Sequence, residues 1–264
     1  MNRPEVRNAF NDAMVAELTG AFGALEAERD VRAVVLAGRG PAFCAGADLN
    51  WMKKMAGFSF AHNYEDALCL AQMLHSIDTL SKPTVARVHG AAFAGGMGLV
   101  AACDIAVAAQ DAEFCVSEAK LGLIPAIISP YVIAAMGERA ARRYFLSAER
   151  FAAAEAYRIG LVQELALAEE LDAVINAVLG HLVQCGPAAL AATKGLIRSV
   201  ARTPIDEALI ADTAKRIATV RASSEGKEGV RAFLEKRTAA WVPLPDETGG
   251  SGRAAKRTAR ARKA

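Results

Sequence analysis

The chain has 264 residues, and 53% of them are hydrophobic, which predicts a folded protein with a sizeable core and excludes an intrinsically disordered one. The formal net charge of +2 is unevenly distributed. Six Lys and Arg residues and no acidic residue lie between Arg253 and Ala264, so residues 1–252 carry a net charge of −4. The basic character therefore belongs to the C-terminal tail.

The cysteine and hydropathy patterns predict a cytoplasmic protein that binds no metal and enters no membrane. The N-terminus lacks the apolar segment of a signal peptide. The longest apolar stretches are interrupted by Gly, Asp or Pro before they reach the length that a bilayer requires. The cysteines show no CxxC or Cys/His spacing, and we expect reduced thiols, mostly in the core. They are Cys44, Cys69, Cys103, Cys115 and Cys185.

Predicted helices and strands alternate in the first half of the chain. Asn11 is a suitable N-cap for a helix that runs to about Glu28. A second helix is predicted over residues 62–80, a loop of small residues over 42–52, and a glycine-rich turn opens a third helix that ends near Cys103. Short apolar runs predict strands at residues 31–37, 83–89, 104–108 and 114–116. This alternation predicts a layered α/β fold with mainly parallel strands.

Alanine-rich helical segments dominate the second half, with one short predicted strand at residues 162–165. The helical segments lie at 139–147, 152–159, 168–184, 187–201, 205–222 and 226–240. We therefore divide the chain into a core at residues 1–190, a C-terminal helical region at 191–245 and a disordered basic tail at 246–264.

The stretch at residues 89–125 combines a glycine-rich helix start with a single carboxylate. Gly95, Gly96 and Gly98 stand where small residues let a ligand approach backbone N–H groups that lack an intrahelical partner. Glu118 follows an apolar strand, and a lone carboxylate in apolar surroundings is costly unless it is paired or used. Together, these residues predict a site that stabilises an oxyanion beside an acid/base group.

Six segments, at sensible spacing, resemble those of one protein family. In chain order they read NRPEVRNAF (2–10), AFCAGADLNWM (42–52), HGAAFAGGMGLVAACDIAVA (89–108), FCVSEAKLGLIP (114–125), SAERFAAAEAYRIGLV (147–162) and VRAFLEKR (230–237). From residue 2 to about 242, the chain resembles the enoyl-CoA hydratase/isomerase (crotonase) family. Residues 46–56 and 117–133 are most similar to its bacterial methylglutaconyl-CoA hydratase branch.

The resemblance implies a spiral of ββα turns with a C-terminal helical trimerisation region, assembled as a homotrimer or a dimer of trimers. It implies an acyl-CoA substrate and no separate cofactor, because coenzyme A is part of the substrate. The family stabilises a thioester enolate with two backbone N–H groups, which by motif position would be those of Ala47 and Gly95. One such fixed donor contributes roughly 3–4 kcal/mol. Glu118 would transfer the proton.

The same resemblance implies which residues contact the acyl-CoA. They are Arg7, Ala45, Ala47, Asp48, Leu49, Gly95, Phe233 and Lys236. Lys236 would act as a point charge on a phosphate, and in this family such a contact often reaches the substrate of a neighbouring subunit. From the sequence alone, Phe233 as a core residue and Lys236 on a solvated face are open alternatives.

One residue departs from the family pattern. Hydratases of this family commonly carry a second glutamate, and its position falls on Gly98, which has no side chain. Glu118 would then serve both proton transfers, or Tyr131 or Glu138 would orient the water, or the reaction would be isomerisation, which needs one carboxylate. Lys120 is expected to be solvated, with a substrate carboxylate or Glu118 as its alternative partner.

The leading interpretation is a lyase that hydrates an α,β-unsaturated acyl-CoA, with 3-methylglutaconyl-CoA of leucine and isovalerate degradation as the expected substrate. Its rivals are an enoyl-CoA isomerase and a catalytically silent member of the family. The resemblance also implies a strand pair before Asn2 that this chain lacks, so the sheet would have an exposed edge or the start of the chain would be mis-set.

A further alternative is nucleic-acid binding through the tail at residues 253–263. Such a tail attracts phosphate without sequence preference, but it has no aromatic residue for base stacking. We therefore expect the chain to show no retention of RNA at low salt. Salt-dependent retention that is lost on deleting residues 250–264 would contradict this expectation.

Overall fold

The computed structural model describes residues 1–243. The predicted tail at residues 246–264, and the test of it, lie outside the described residues. Internal contacts distinguish two units, Met1–Leu182 and a second that begins at Val183. This boundary falls earlier than the one that we placed after residue 190.

The first unit contains seven strands and most of the helices. Its strands are β1 (Val34–Ala37), β2 (Thr84–Val88), β3 (Ala91–Phe93), β4 (Ile105–Ala109), β5 (Glu113–Cys115), β6 (Phe151–Ala152) and β7 (Glu164–Ala166). Its helices are α1 (Asp12–Ala27), α2 (Leu49–Met55), α3 (Phe60–Thr79), α4 (Gly95–Ala102), α5 (Ser129–Ser147), α6 (Ala153–Arg158) and α7 (Leu171–Gln184), whose last residues lie past Leu182. The second unit contains α8 (Pro187–Val200), α9 (Glu207–Ala222) and α10 (Ser224–Leu234).

Two sheets are built by repeating ββα turns. Strands β1, β2, β4 and β7 form a parallel sheet in that order, with Val85 opposite Ile105. The second sheet has the order β3-β5-β6, in which β3 is parallel to β5 and β6 is antiparallel to it. In β2–β3–α4 and in β4–β5–α5, the first strand joins one sheet and the second strand joins the other. The predicted spiral of ββα turns is therefore confirmed.

The four-stranded sheet has a core on each face, because side chains alternate along a strand. Ala86 and Ala106 point into the larger core, which is filled mainly from α1, α3, α4 and α5. Val85 and Val107 point the other way and pack with Leu171 and other residues of α7. This two-sided burial explains why β4 reads as a continuous apolar run.

Most predicted elements are present within a few residues of their expected bounds. The Asn11 side chain accepts a hydrogen bond of 2.9 Å from the N–H of Met14, which confirms Asn11 as the N-cap of α1. Three short elements were missed. Strand β6 lies at the start of the helix predicted over 152–159. Helix α2 occupies part of the predicted loop at 42–52, and β3 lies inside the glycine-rich turn, where three residues are too few to show a period.

Three surface features bear on the sequence predictions. None of the five cysteines forms a disulfide within residues 1–243, but Cys69 and Cys185 are exposed, so the expectation of core thiols is wrong for these two. Strand β1 is an edge strand of its sheet, and Val35 is 37% exposed. Within residues 1–243, no single helix is long and apolar enough to span a bilayer, and only α7 and α8 taken together across a bend reach that length and hydropathy.

Asn8 fixes the N-terminal segment onto the loop that follows β1. Its side chain is fully buried, and its amide nitrogen donates hydrogen bonds of 2.8 Å to the carbonyls of Arg39 and Ala42. Its amide oxygen accepts a hydrogen bond of 2.8 Å from the N–H of Arg3. The backbone of Asn8 has φ +54°, a left-handed conformation that Asn tolerates better than most residues.

We expect Asn8→Ala to lower the free energy of unfolding by about 2–3 kcal/mol, because it leaves buried carbonyls without donors. Urea denaturation measures this change. Asn63→Ala is the matched control, since Asn63 is exposed and its side chain donates a weak hydrogen bond of 3.4 Å to the carbonyl of Phe58. A control shift within about 0.5 kcal/mol is expected. Equal losses from the two variants would contradict the anchoring role of Asn8.

Candidate active site

A short parallel bridge orients the N–H group of Ala47. The N–H of Phe10 donates to the carbonyl of Gly46, and the N–H of Asp48 donates to the carbonyl of Phe10, both at 2.7 Å. Because the two residues that flank Ala47 make these bonds, its own N–H points away from the Phe10 backbone. Ala47 is half-buried, so part of the residue is accessible to a ligand.

Asp48 holds the same loop from inside the protein. One carboxylate oxygen lies 2.7 Å from the Arg3 guanidinium, and the other accepts a hydrogen bond of 2.8 Å from the N–H of Asn50 at the start of α2. The hydrogen bond from Arg3 is the main cause that keeps the pKa of Asp48 below its ordinary value. The Asp48 side chain, predicted to contact acyl-CoA, is therefore occupied by protein groups.

The other predicted contacts of this segment lie beside the loop. The N–H of Ala45 donates a hydrogen bond of 3.0 Å to the carbonyl of Arg7, so these two residues are neighbours. Arg7 is exposed, and Leu49 is 75% exposed. Both side chains are free of the core and available to a ligand.

Gly95 begins α4 directly against Phe10. A Cβ atom on Gly95 would lie 2.8 Å from the Phe10 ring, and one on Gly96 would lie 2.4 Å from the carbonyl oxygen of Cys44. Only glycine permits these approaches of the two loops. The preceding residue, Ala94, has φ +48° and ψ −119°, a strained conformation that turns the chain from β3 into α4.

Ala47 and Gly95 are thus brought together around one side chain, Phe10, which is 1% exposed. Phe10 pairs with Ala47 through its backbone and covers Gly95 with its ring. Within residues 1–243, neither the N–H of Ala47 nor that of Gly95 donates a hydrogen bond to a protein acceptor. Two free N–H groups on adjoining loops are an arrangement that suits a developing oxyanion.

Glu118 supplies a carboxylate with an unused oxygen. It starts a 3₁₀ helix at Glu118–Leu121, just after β5, rather than lying on a strand. Its Oε2 atom is buried and has no hydrogen-bond partner among the described residues. Burial raises the pKa of Glu118 above its ordinary value, and the N–H groups of Glu118 and Ser117 partly offset this effect. A buried carboxylate without a partner is expected where a substrate completes the site.

Position 98 is closed to a second carboxylate. Gly98 is buried in α4, and a Cβ atom there would lie 2.4 Å from Cγ2 of Ile128 and 3.3 Å from Cδ1 of Leu74. Apolar side chains fill the space that a glutamate would need.

Tyr131, Glu138 and Lys120, the three remaining candidates, have different surroundings in the structure. Burial, and then the negative charge of Asp78, raise the pKa of Tyr131, so the nearby carboxylate that acts on this phenol is Asp78 at the end of α3. Glu138 follows the break in α5 at Gly137, is 78% exposed and lies 3.5 Å from Arg142. Lys120 is exposed and forms no ion pair with Glu118 in the described part of the chain. Glu138 therefore makes a surface ion pair.

The C-terminal candidates lie in the second unit. Phe233 is 82% exposed near the end of α10, so the alternative that it is a core residue is wrong. Lys236 is exposed, and its backbone has φ +54°. An aromatic ring and an ammonium group are thus presented to solvent within four residues. Across residues 1–243, no three His, Cys, Asp or Glu side chains cluster closely enough to hold a metal ion.

Sequence reasoning missed Phe10 and Ile128. Phe10 lies inside the NRPEVRNAF segment but carries no chemistry of its own, so only its contacts reveal its role. Ile128 looked like an ordinary apolar residue before a helix. The one available signal was the replacement of a glutamate by Gly98, which calls for some other side chain to fill the space.

Comparison with known proteins shows the family to which this chain belongs. The family model for enoyl-CoA hydratase/isomerase matches residues 1–243. The chain belongs to the enoyl-CoA hydratase/isomerase family. It is therefore an enzyme of this family. The hydratases of the family are hydro-lyases that act on acyl-CoA thioesters.

Individual relatives agree with the family over nearly the whole chain. A crystal structure from Legionella pneumophila, provisionally named enoyl-CoA hydratase/isomerase (crotonase), is 46% identical with a TM-score of 0.86, and the match covers 91% of this chain and 93% of that one. An enoyl-CoA hydratase structure from Shewanella pealeana is 42% identical with a TM-score of 0.88, at 90% and 89% coverage. A Thermus thermophilus protein, provisionally named enoyl-CoA hydratase, is 37% identical over 238 residues, at 90% and 93% coverage.

The buried carboxylate leads to a prediction with opposite signs for activity and stability. We expect Glu118→Gln to reduce turnover by about 10²–10⁴-fold, because it removes the proton-transfer group. The folded-state pKa of Glu118 is raised, so ionised Glu118 disfavours the folded state at neutral pH, and Gln removes this cost. The gain should disappear below the ordinary glutamate pKa of 4.5, where the carboxyl is protonated in both states.

Thermal melts between about pH 3.5 and about pH 8 measure the stability difference. Glu113→Gln is the matched control, since Glu113 is exposed on β5 and lies 3.5 Å from Arg150. It should show neither the loss of turnover nor the stabilisation at neutral pH. Full activity in Glu118→Gln would refute the assignment of Glu118.

Proposed function

We propose that this enzyme adds water to the double bond of an α,β-unsaturated acyl-CoA. The observation that carries this proposal is the buried, unpaired Oε2 of Glu118 in the same unit as the free N–H groups of Ala47 and Gly95. The names of its relatives support hydration as the reaction. The substrate requires no cofactor besides the coenzyme A that it carries.

In the proposed reaction, the thioester carbonyl accepts hydrogen bonds from the N–H groups of Ala47 and Gly95. The Glu118 carboxylate takes a proton from water while the water oxygen bonds to Cβ of the substrate. The resulting enolate places its charge on the carbonyl oxygen, where each backbone donor contributes roughly 3–4 kcal/mol. The Glu118 carboxylic acid then returns the proton to Cα, so that the elements of water are added across the double bond.

We further propose 3-methylglutaconyl-CoA, from leucine and isovalerate degradation, as the substrate. The support is the similarity of residues 46–56 and 117–133 to that branch of the family. Lys120 is exposed two residues after Glu118 and can attract the free carboxylate of a dicarboxylic acyl group. Arg7, Ala45 and Leu49 would contact the coenzyme A portion, as would Phe233 and Lys236 in a homotrimer or a dimer of trimers.

A second candidate is an enoyl-CoA isomerase, and the apolar filling beside Gly98 favours it. Isomerisation needs one carboxylate, which takes a proton from Cα of a 3-enoyl-CoA and delivers a proton to Cγ. Glu118 alone meets this requirement. The two candidates share the oxyanion site and differ only in whether water takes part.

A panel of enoyl-CoA thioesters, with product identification, distinguishes them. We expect 2-enoyl substrates to lose the absorbance of the conjugated thioester as water adds, with the branched dicarboxylic substrate turned over fastest. Activity confined to 3-enoyl substrates, with a rise in that absorbance, would instead establish the isomerase.

The acyl preference has its own control within this panel. Lys120→Gln should raise KM for the dicarboxylic substrate by up to about fivefold, the range of an exposed ion pair. KM for a monocarboxylic substrate of similar length should not change. Equal effects on both substrates would remove Lys120 from the acyl site.

A further inference from the structure

The surroundings of Gly98 show more than the absence of a glutamate. A Cβ atom at this position would lie 2.4 Å from Cγ2 and 3.1 Å from Cβ of Ile128. Real Cβ atoms essentially never approach another heavy atom this closely, so any side chain at position 98 requires Ile128 to move. Leu74 is a weaker obstacle, because its Cδ1 lies 3.3 Å away and is the end of a flexible side chain.

Ile128 is poorly able to move. Its side chain is 3% exposed within the larger core, and its branched Cβ allows few alternative rotamers. Its carbonyl accepts a hydrogen bond of 3.0 Å from the N–H of Val132, which fixes the residue at the start of α5. Close-packed protein cores contain few voids, so a buried side chain has little space into which to rotate.

The position of this contact connects it to the reaction. Gly98 lies three residues after Gly95 in α4, which places both on one face of the helix about one turn apart. Ile128 directly precedes α5, and α5 contacts the 3₁₀ helix that begins with Glu118. Ile128 therefore packs against the helix that carries an oxyanion donor, and it directly precedes the helix that contacts the Glu118 segment.

We propose that Ile128 is the residue that restricts this site to one carboxylate and so assigns both proton transfers to Glu118. The inference rests on the proposed function and deepens it: Gly98 is the consequence of a bulky residue at position 128, not an isolated loss. Replacing Gly98 alone cannot supply a second acid/base group. Shortening Ile128 opens the space that such a group needs.

A double-mutant cycle in stability tests the steric part without any substrate. Gly98→Ala should lower the melting temperature by several degrees, through the clash with Ile128. In an Ile128→Ala background, the same Gly98→Ala change should cause a clearly smaller loss, because the 2.4 Å contact with Cγ2 is gone and only the 3.1 Å contact with Cβ of residue 128 remains. The matched control is Gly96→Ala, whose Cβ would meet the Cys44 carbonyl at 2.4 Å, a backbone obstacle that Ile128→Ala cannot remove. Additive effects of Gly98→Ala and Ile128→Ala would overturn the proposal.

The chemical part is tested with Gly98→Glu in the same Ile128→Ala background. Relative to Ile128→Ala alone, the double variant should hydrate a 2-enoyl-CoA at least about tenfold faster, since a second general acid/base group contributes about 10²–10⁴-fold when well placed. Isomerisation of a 3-enoyl-CoA should not increase. No gain in hydration from a folded double variant would overturn the chemical role of Ile128.

The two failures are distinguishable. If the proposed function is wrong, the unmodified enzyme will turn over no 2-enoyl-CoA in the panel, while the stability cycle still reports coupling between positions 98 and 128. If the inference on Ile128 is wrong, the unmodified enzyme remains active, and the cycle is additive or the double variant gains no hydration.

Discussion

The packing of Phe10 between two loops is the contact that holds the candidate site together. Its backbone hydrogen bonds to Gly46 and Asp48 leave the N–H of Ala47 facing the other way, and its ring lies over Gly95. One buried residue therefore sets the positions of two donors that are far apart in the chain, one through its backbone and the other through its ring. The Asn8 hydrogen bonds and the ion pair between Arg3 and Asp48 fix the segment that carries Phe10. Such fixed dipoles need little reorganisation when charge develops on a bound oxygen.

Whereas the Phe10 contacts stabilise the fold, the ionised Glu118 carboxylate destabilises it at neutral pH. Burial of its carboxylate without a partner raises its pKa and disfavours the folded state at neutral pH. A group of this kind persists where function requires it, because stability alone would favour a neutral side chain of the same shape. In the proposed reaction, the backbone N–H donors stabilise charge and the Glu118 side chain moves the proton.

The site differs from the two-carboxylate pattern in a way that concerns packing as much as catalysis. Gly98 and Ile128 form a complementary pair, in which the volume absent from one is present in the other. Such pairs couple in stability because a core close to maximal density cannot absorb extra atoms. A comparison of single positions would record only a missing glutamate at position 98, whereas the contact shows that the Ile128 side chain fills the space beside it.

Phe233 and Leu234 are exposed at the end of α10, where they suit a ligand or another copy of the chain.

The class of fold, most strands and helices, and the segments that carry Ala47, Gly95 and Glu118 could be predicted from the sequence, because hydrophobic period, caps and glycine placement are local properties. Strand β3 and helix α2 were missed, since such short elements are stabilised by pairing and capping rather than by period. The exposure of Phe233 could not be predicted, because burial depends on what packs around a residue. The folded protein alone reveals that Phe10 unites the two donors and that Ile128 closes position 98. Both depend on contacts between residues distant in sequence, which no local pattern encodes.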